Sequence, residues 1–394
     1  MSRFTPTVVL LGVDRLIGLQ LARILWQRGV PVVGVALNPR AHYCRTRAVT
    51  KVLAMEDFEA DPVAALAELS AGSGREAVSR PILIPCLDEL VWWLAERREE
   101  LAPHADFLLS SDDCLERLAD KAVFCRELEA EGYPLPETRL CADAPALEAA
   151  ARTLTFPVIV KPPRRSPEWM RATGGSKVLR IDEAESLLPR CVPLLSITTP
   201  LVLQSWVPGG DDCMYSVFVC LDRESRPAMP PVVVRKLRQW PPEIGVGSLS
   251  QQVEEPELAK LVLEILAARG FVGTGSMQFK RDAETGRFVV IEMNTRFALN
   301  FPICETCGVD ATWIQCLLAA GQAIPVPPRI TRPGGKWICW KRDLASAMVY
   351  RRRGELTIGA WLRSLRGRKR SADIMLRDPV PTLADVFGKL LGSR

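Results

Sequence analysis

A chain of 394 residues is too long for a single hydrophobic core, because single cores stop growing at about 250–300 residues, so we expect two or three domains. With 48% hydrophobic and 25% charged residues, the composition excludes a disordered or fibrous protein. The net charge of +5 is uneven, since residues 331–394 carry 15 Lys and Arg against 5 Asp and Glu. The basic character therefore belongs to the C-terminal part of the chain.

The N-terminal stretch MSRFTPTVVLLGVDRL contains an Arg and a short apolar run, but Asp14 interrupts it and no small-residue cleavage site follows. No apolar run reaches the ~20 residues that a membrane-spanning helix needs. We therefore expect no signal peptide and a cytoplasmic protein.

The first elements predict a parallel sheet. Residues 7–12 form an apolar run, a glycine turn and an amphipathic helix follow, and a second apolar run, VPVVGVAL, comes next. Strand, helix and strand in this order are typical of a βαβ unit. The spacing of Gly12 and Gly18 is not that of a dinucleotide-binding turn, and Asn38-Pro39-Arg40 stands where an acid would bind a ribose. A third strand is predicted at PILIPCLDE (81–89).

The pattern changes near Asp120-Lys121, where a predicted helix, DKAVFCRELEAEG, begins. It ends at Gly132 before the proline-containing connector YPLPETRL, and we place a domain boundary at about residue 115. A run of predicted strands follows, and the Pro-rich segment 325–329 ends this part. We expect an N-terminal Rossmann-like domain at 1–115 and a two-part α+β domain at 116–328, divided into 116–205 and 206–328. Residues 329–394 form a basic extension, predicted as a strand and two or three helices.

The twelve Cys are scattered, and the only pair with ligand spacing is Cys304-x-x-Cys307. No second such pair is present, and no His follows His104, so a structural zinc site is disfavoured. We expect buried free thiols.

Candidate binding residues occur one after another along the second predicted domain, most of them on or near predicted strands. Lys121 opens the second domain, and Lys161 ends the strand FPVIVKP before the glycine loop 164–178. The strand LVLQSWVPGGDD (201–212) then contains Gln204 and Asp211, and FVVIEMNTRF ends in Glu292-x-Asn294. Each feature alone has an ordinary structural explanation, such as a surface lysine or a turn.

Together, in this order over roughly residues 5–325, these segments resemble the ATP-grasp family, in particular its carboxylate–amine ligases. The resemblance implies a Rossmann-like domain followed by two subdomains that bind ATP. It also implies that Lys121 and Lys161 hold the α- and β-phosphates and that the loop at Gly174, Gly175 and Ser176 closes over them.

The same resemblance implies an adenine site at the hinge Gln204-Ser205-Trp206-Val207. The backbone of Ser205 and Val207 would contact the adenine edge beside Trp206, and Asp211 would accept hydrogen bonds from the ribose hydroxyls. The family commonly has an acid where Gln204 stands.

Glu292 and Asn294 supply the oxygen ligands that Mg²⁺ prefers, and both point to one face of their strand. If Glu284-Thr285-Gly286 is a three-residue hairpin loop, with Ala283 paired to Arg287, Gln278 lies opposite Glu292. The family usually has a metal-binding acid at that position. We predict Gln278, Glu292 and Asn294 as ligands of Mg²⁺, with Mn²⁺ as an alternative, and the neutral Gln278 leaves the number of metals open.

Three arginines are candidates for the transferred phosphate or the acyl substrate. The resemblance implies this role for Arg296, for which a salt bridge to Glu292 or Glu305 is the structural alternative. Arg235 and Arg238, in the stretch VVVRKLRQW, carry fixed charges that could hold a carboxylate and stabilise an acyl-phosphate transition state. The alternative is a solvated basic strand edge.

The leading functional interpretation is an ATP-dependent ligase that joins a carboxylate, such as an amino acid, to an amine through an acyl phosphate. Such chemistry needs no nucleophilic side chain, which agrees with the presence of only 2 His and no Ser-His-Asp signature. The alternative is a nucleotide-binding protein with little turnover, because of Gln278 and Gln204.

The partners that we expect are the small-molecule substrates, with a homodimer left open and no nucleic acid. The basic segment 350–370, with Ile358, Leu362 and Leu365 predicted on one helical face, suits an anionic membrane surface. Its composition also suits nucleic acid, and it suits a lid packed on the ligase domain with a solvated outer face, which is the interpretation that we prefer.

Overall fold

The fold is taken from a computed structural model, which describes residues 5–71 and 80–390. Residues 1–4, which belong to the stretch for which we expect no signal peptide, lie outside the described residues, as does the C-terminal end of the basic extension. Among the described residues, no helix combines the length and the apolar composition needed to cross a membrane.

In chain order the strands are β1 (Val8–Leu11), β2 (Val32–Ala36), β3 (Lys51–Ala54), β4 (Ile82–Pro85), β5 (Thr138–Cys141), β6 (Val158–Lys161), β7 (Leu179–Ile181), β8 (Leu201–Ser205), β9 (Met214–Leu221), β10 (Val232–Trp240), β11 (Val246–Gln252), β12 (Gly273–Arg281), β13 (Phe288–Asn294), β14 (Lys336–Ile338) and β15 (Lys369–Ser371).

The α-helices are α1 (Leu16–Gln27), α2 (Met55–Ala60), α3 (Pro62–Ala71), α4 (Asp88–Glu96), α5 (Arg98–Leu101), α6 (Asp112–Ala119), α7 (Lys121–Ala130), α8 (Ala144–Thr153), α9 (Pro167–Ala172), α10 (Leu187–Cys191), α11 (Pro256–Ala267), α12 (Ile303–Thr306), α13 (Ala311–Ala319), α14 (Trp340–Arg352), α15 (Ile358–Ser364) and α16 (Val380–Leu390). Short 3₁₀ helices lie at His42–Arg45, Ala184–Ser186, Val192–Ser196 and Asp211–Cys213.

The chain forms two compact units. The first combines Met1–Ser111, Val217–Ser276 and Thr295–Arg394, and the second combines Asp112–Ser216 with Met277–Asn294. The predicted division into domains at 1–115, 116–328 and 329–394 stays a prediction.

The first unit begins with the parallel sheet that the sequence predicts, in the order β3-β2-β1-β4. Val8 and Leu10 pack into one apolar cluster and Val9 and Leu11 into another. Because successive side chains of a strand point to opposite faces, both faces of β1 are buried. This burial explains why the strand reads as a continuous apolar run.

The glycine turn after β1 is required by packing. Gly12 has a φ of 95°, in the left-handed region that favours glycine. A Cβ at Gly18, in α1, would lie 2.5 Å from the carbonyl oxygen of Gly12. The two glycines therefore let α1 start close to the end of β1.

The longest sheet has the order β13-β12-β9-β10-β11-β14-β15. β10 and β11 are antiparallel, with register shifts between Lys236 and Arg238 and between Arg238 and Gln239. β14 runs antiparallel to β11 and parallel to β15.

The second unit contains the antiparallel sheet β5-β8-β6-β7. Its core includes Val158 and Val160 of β6, Leu201 and Leu203 of β8, and the fully buried Trp169. The side chains at Lys161 and Gln204 alternate with these apolar residues along their strands, so the sheet directs them to its other face.

The mixed α/β fold class is confirmed, and parts of the basic extension differ from the prediction. The stretch GGKWICWKRD is a strand only at Lys336–Ile338, since α14 begins at Trp340. The segment 350–370 is not one helix: α15 spans Ile358–Ser364, and Lys369–Ser371 pairs with β14 as β15. Leu365 is the C-cap residue of α15 and follows the helix that was predicted to contain it.

Candidate functional site

Lys161 is the central cation of the second unit. It ends β6, is only 7% exposed, and its Nζ donates a hydrogen bond of 2.7 Å to Oε1 of Gln204 on β8. The Nε2 of the same amide donates to Oγ1 of Thr138 at 3.2 Å. A buried ammonium group is thus held by a neutral amide, which offers less stabilisation than a carboxylate would.

The surroundings of Lys161 lower its pKa. Burial is the main cause, and the neighbouring charge of Lys121 acts in the same direction, whereas the carboxylate of Glu292 raises the pKa. These influences show that Lys121, Lys161 and Glu292 lie close enough to interact. An anion bound beside the two lysines would offset the repulsion between them and raise the pKa of Lys161.

Lys121 is positioned by the start of α7. Asp120 is the N-cap, and its carboxylate accepts from the backbone N–H groups of Ala122 at 3.0 Å and Val123 at 3.2 Å. The N–H of Lys121 donates to the carbonyl of Pro163 at 3.0 Å, just beyond β6. The cap and this bond place the start of the helix next to the strand that ends in Lys161.

The hairpin of β12 and β13 carries the predicted metal ligands. The predicted turn was wrong by one residue, since Asp282 and not Ala283 pairs with Arg287. The backbone N–H of Asp282 donates to the carbonyl of Arg287 at 2.8 Å, and the backbone carbonyl of Asp282 accepts from the N–H of Gly286. Asp282 therefore faces both Gly286, whose φ is 71°, and Arg287, as in a bulged hairpin. Counted regularly from the Asp282–Arg287 pair, Gln278 comes opposite Ile291 and not Glu292. The turn therefore no longer supports the facing of Gln278 and Glu292, and the role of Gln278 as a metal ligand stays a prediction.

Asn294, the last residue of β13, has a buried side-chain Nδ2 with no hydrogen-bond partner. A buried polar atom without a partner costs about 1–3 kcal/mol, so the position is suited to a bound ligand. Together with Gln278 and Glu292 it offers oxygen donors with a single negative charge, a set that fits Mg²⁺.

The glycine loop directly follows α9 and is held by backbone hydrogen bonds. Gly174 and Gly175 have φ values of 61° and 85°, and their N–H groups donate to the carbonyls of Arg171 and Met170. The N–H of Ser176 donates to the carbonyl of Thr173 at 3.2 Å. The amides predicted to surround phosphate therefore make hydrogen bonds within the loop in this structure.

The predicted adenine hinge follows β8. Ser205 donates from its N–H to the carbonyl of Glu137 at 2.9 Å, and Trp206 donates to the carbonyl of Pro157 at 2.7 Å. Val207 follows in the extended connection, and Asp211 begins a 3₁₀ helix. These two hydrogen bonds connect the hinge to the residues that precede β5 and β6.

Trp206 is contacted by two cations. Nζ of Lys280 lies 4.0 Å from the ring centroid, and the guanidinium carbon of Arg180 lies 4.8 Å from it. Sequence reasoning missed Lys280, which is buried. The signal was present, because Lys280 lies two residues after Gln278 on β12 and therefore on the same face of the strand.

Arg296, in the first unit, forms a two-bond ion pair with Asp88. Its Nε lies 2.7 Å from Oδ1 and its Nη2 lies 2.9 Å from Oδ2. The structural alternative of a salt bridge is thus present, with Asp88 as a partner that the sequence analysis did not name. Asp88 begins α4 after β4, and the acids that end PILIPCLDE were its only signal in the sequence.

Arg235 and Arg238 both lie on β10 but differ in their surroundings. Arg238 is buried, and its Nε and Nη2 lie 2.9 and 3.0 Å from the two carboxylate oxygens of Asp343 on α14. Its Nη1 also donates to Oγ of Ser364 at 2.9 Å. Arg235 is half-buried and lies opposite Gln251 of β11.

A buried polar cluster next to these arginines was missed. Lys236 donates from Nζ to Oε1 of Gln239 at 3.3 Å, and Asn300 donates from Nδ2 to Oγ of Ser250 at 3.1 Å. The two pairs are neighbours, since Lys236 on β10 lies opposite Ser250 on β11. The β10 register shift brings Lys236 and Gln239 to one side, which the sequence pattern does not reveal.

The cysteines are free thiols, and burial raises the pKa of Cys304 and Cys307. Within residues 5–71 and 80–390, no cluster of three or more His, Cys, Asp or Glu could hold a metal ion.

Comparison with known proteins gives one family match, which includes β12 and β13 but not β6 or β8. Residues 248–326 match the family described as "Carbamoyl-phosphate synthase L chain, ATP binding domain". The carbamoyl phosphate synthase large chain of Thermotoga sp. is 25% identical over 232 residues, which cover 56% of this chain and 20% of that protein. The chain thus spans about one fifth of the length of these curated relatives.

The chain is also similar to a ligase in sequence and to a solved structure in fold. The D-alanine–D-alanine ligase of Xylella fastidiosa is 27% identical over 179 residues, covering 42% of this chain and 54% of that protein. The biotin carboxylase domain of the Hydrogenobacter thermophilus 2-oxoglutarate carboxylase has a TM-score of 0.62 at 17% identity, covering 85% of this chain and 74% of that one. That structure is a dimer in complex with MgADP, ADP and bicarbonate.

Proposed function

We propose that the chain is an ATP-grasp protein of the carboxylate–amine ligase group, and that it is an ATP-dependent ligase that joins a carboxylate to an amine. The observation that carries the proposal is the buried Lys161, which is held by a neutral amide and has a lowered pKa. A buried cation of this kind suits a polyanionic ligand such as a nucleotide triphosphate.

The nucleotide-binding residues of the proposal come from the second unit. Lys161 and Lys121 bind the α- and β-phosphates, and the loop at Gly174, Gly175 and Ser176 covers them once its amides exchange partners. The backbone of Ser205 and Val207 contacts the adenine beside Trp206, and Asp211 accepts from the ribose. Gln204 orients Lys161 through the 2.7 Å bond between them.

The metal ligands in the proposal are Glu292, Asn294 and Gln278, whose oxygens fit Mg²⁺, with Mn²⁺ as a substitute. The unpartnered buried Nδ2 of Asn294 is a hydrogen-bond donor, so it supports an acceptor such as a phosphate oxygen at this strand end. When bound, the cation would neutralise phosphate charge. With Gln278 neutral, the set carries only the charge of Glu292, so we propose weak metal binding in the absence of nucleotide.

The acyl-substrate residues of the proposal come from the first unit. Lys236 and Asn300 belong to a buried polar cluster that suits a small carboxylate. Arg235 lies on the same strand, and Arg296 has its guanidinium oriented by Asp88. Arg238 is already paired with Asp343, so we assign it a structural role.

The proposed reaction has two steps. A carboxylate oxygen of the substrate attacks the γ-phosphorus of ATP, the bond to the bridging oxygen breaks, and ADP leaves. The amine nitrogen then attacks the acyl carbon, phosphate leaves with the electron pair of the C–O bond, and the nitrogen loses a proton to solvent. The protein contributes positioning and positive charge, without a covalent intermediate of its own.

The substrate class remains part of the proposal. The similar D-alanine–D-alanine ligase supports an amino acid or a similar small acid as the carboxylate, with an amino acid or amino sugar as the amine. The similar biotin carboxylase domain is a dimer, which supports a homodimer of this chain.

A phosphate-release screen tests the proposal. ATP, Mg²⁺ and pairs of amino acids and amino sugars are supplied to the wild-type protein and to Glu292→Ala. We expect phosphate release that requires both an acid and an amine, and its loss by at least about 100-fold in Glu292→Ala, because the only charged metal ligand is removed.

Glu284→Ala is the matched control, because Glu284 lies at the exposed tip of the same hairpin and should leave turnover unchanged. Full turnover in Glu292→Ala would refute the metal assignment. Mass spectrometry of the product must show a new amide bond.

A second candidate function is nucleotide binding without ligation. The neutral Gln278 and Gln204, at positions where the family has acids, favour it. Calorimetry with ATP separates the two functions, since tight binding with no turnover over the whole substrate screen would support binding alone.

A further inference from the structure

The exposed aliphatic side chains of this protein are concentrated near its C-terminus. Among the described residues, the large hydrophobic side chains that are exposed number thirteen, and nine of them lie between residues 344 and 386. Scattered exposed aliphatic residues need no explanation, but a concentration of them marks an interaction surface.

Helix α14 has two distinct faces. Asp343, Ser346, Ala347 and Tyr350 are buried, and the helix packs on β10 through the ion pair of Asp343 with Arg238. Leu344 and Met348, one turn apart, are 46% and 51% exposed. The outward face of α14 is therefore apolar at its centre.

Helix α15 continues this pattern beside α14. Ile358 and Leu362, again four residues apart, are 52% and 55% exposed. The two helices are joined because Nε1 of Trp361 donates to Oδ2 of Asp343 at 3.0 Å. Leu344, Met348, Ile358 and Leu362 are named here the C-terminal apolar set.

Basic residues accompany the C-terminal apolar set. Arg351 and Arg352 end α14, and Arg363 lies on α15, and all three are exposed. Two of the five acids of residues 331–394, Asp343 and Asp378, are fully buried in internal ion pairs. The surface that remains is thus more positive than the sequence count indicates.

We propose that this surface, the C-terminal apolar set with Arg351, Arg352 and Arg363, binds the surface of an anionic lipid bilayer. Interfacial helices combine aliphatic residues, which enter the headgroup region, with Arg and Lys, which contact anionic lipids. A second copy of the chain would bring like charges together. Nucleic acid would leave the aliphatic side chains without a partner, since its binding uses phosphate contacts and stacking on aromatic rings.

This inference does not depend on the proposed ligase activity. It is tested by co-sedimentation of the full chain with vesicles of phosphatidylcholine, with or without roughly one third phosphatidylglycerol. We expect binding only to the anionic vesicles, with weakening as NaCl is raised, because salt screens the charges.

Two variants separate the apolar and the charged contributions. Leu344→Ser/Met348→Ser and Arg351→Gln/Arg352→Gln should each lower the vesicle partition coefficient by at least about tenfold. The matched controls are Ile244→Ser/Val326→Ser, which removes exposed aliphatic residues elsewhere, and Arg126→Gln/Arg152→Gln, which removes exposed charges elsewhere. Both controls should bind as the wild type does.

Thermal unfolding of each variant checks that the fold is retained. We expect unchanged unfolding temperatures, because all the substituted side chains are exposed. The proposal is overturned if wild-type protein does not sediment with anionic vesicles, or if the controls lose binding as much as the test variants. It is equally overturned if gel-shift experiments show that duplex DNA binds while vesicles do not. Sedimentation velocity that shows a dimer broken by Leu344→Ser/Met348→Ser, without vesicle binding, would assign the surface to a second copy instead.

Discussion

Gln204, Gln278 and Asn294 show how much of this candidate site depends on neutral amides. Gln204 accepts the hydrogen bond of the buried Lys161 at 2.7 Å, and the buried Nδ2 of Asn294 has no partner. Amides supply oxygen atoms but no negative charge. In the proposed function, the phosphates of the nucleotide therefore add to Glu292 the negative charge that stabilises Lys161 and the metal.

The residue Gln278 gives the most direct test of the metal assignment. In Gln278→Glu, the Mg²⁺ concentration for half-maximal ATP turnover should fall by about tenfold, because a carboxylate adds a charge to the ligand set. Turnover measured across a Mg²⁺ titration checks this, with the exposed Gln322→Glu as the control. An unchanged titration would mean that Gln278 does not face the metal.

Glu305 gives a prediction about pH. Burial and then the charge of Asp310 raise the pKa of Glu305 from 4.5 to about 8, while Arg370 and Arg28 oppose the change. The folded state therefore keeps a proton that the unfolded state has lost, and stability falls as pH rises from about 4.5 to about 8. In Glu305→Gln, we expect this decline in the free energy of unfolding to be reduced by about 1 kcal/mol per pH unit.

Urea unfolding of Glu305→Gln and wild type over this pH range measures the difference. The exposed Glu355→Gln should follow the wild-type curve. A decline of equal steepness in Glu305→Gln would show that another group, such as Asp310, causes it.

At the scale of elements, α14 is held on β10 by one buried ion pair. Asp343 accepts from Arg238 through both oxygens and also from Nε1 of Trp361 on α15. A single carboxylate thus joins a strand and two helices. Elements with strong periodicity, such as β1, α1 and β6, were predictable from the sequence, whereas this connection between distant elements was not.

Arg238→Met should lower the free energy of unfolding by about 3–5 kcal/mol, because it leaves the carboxylate of Asp343 buried without its partner. Arg238→Met/Asp343→Asn should recover much of that loss, since the charge is removed while an acceptor for Trp361 remains. Urea unfolding measures both. Arg353→Met, at a partly exposed pair with Glu243, is the control and should cost less than about 1 kcal/mol.

The same variants test the role of Arg238. If the refolded double variant retains ligase turnover, the structural role is supported. A loss of turnover in a stable double variant would restore Arg238 as a carboxylate-binding residue.

At the scale of the whole molecule, the basic extension is part of the first unit. Arg23 of α1 pairs with Asp378 at 2.9 Å, and both side chains are buried. Asp378 also accepts from Oγ1 of Thr46 at 2.6 Å and from the N–H of Arg47 at 3.1 Å. The extension therefore closes on the parallel-sheet region, and removing it would damage that region.

Asp378→Ala should lower the free energy of unfolding by about 3–5 kcal/mol, because Arg23 loses its buried partner. Asp385→Ala, which removes a partly exposed partner of Lys341, is the control and should cost less than about 1 kcal/mol. Urea unfolding compares the two. Equal, small effects would show that the C-terminal contacts of Asp378 do not hold the unit together.

The sequence alone determined those features that depend on neighbouring residues. Apolar runs and helical periodicity predicted β1, α1, β2 and β6, and the order of Lys121, Lys161, Glu292 and Asn294 gave the resemblance to the ATP-grasp family. These signals are local or linear, so a single sequence contains them.

Only the tertiary structure decided which side chains are partners. It paired Arg296 with Asp88, Arg238 with Asp343 and Asp378 with Arg23, across 208, 105 and 355 residues. It also placed Lys236 opposite Ser250, to which Asn300 donates a hydrogen bond. The physical reason is that charge partners and bulges are chosen by packing between distant segments, for which a residue pattern carries no mark.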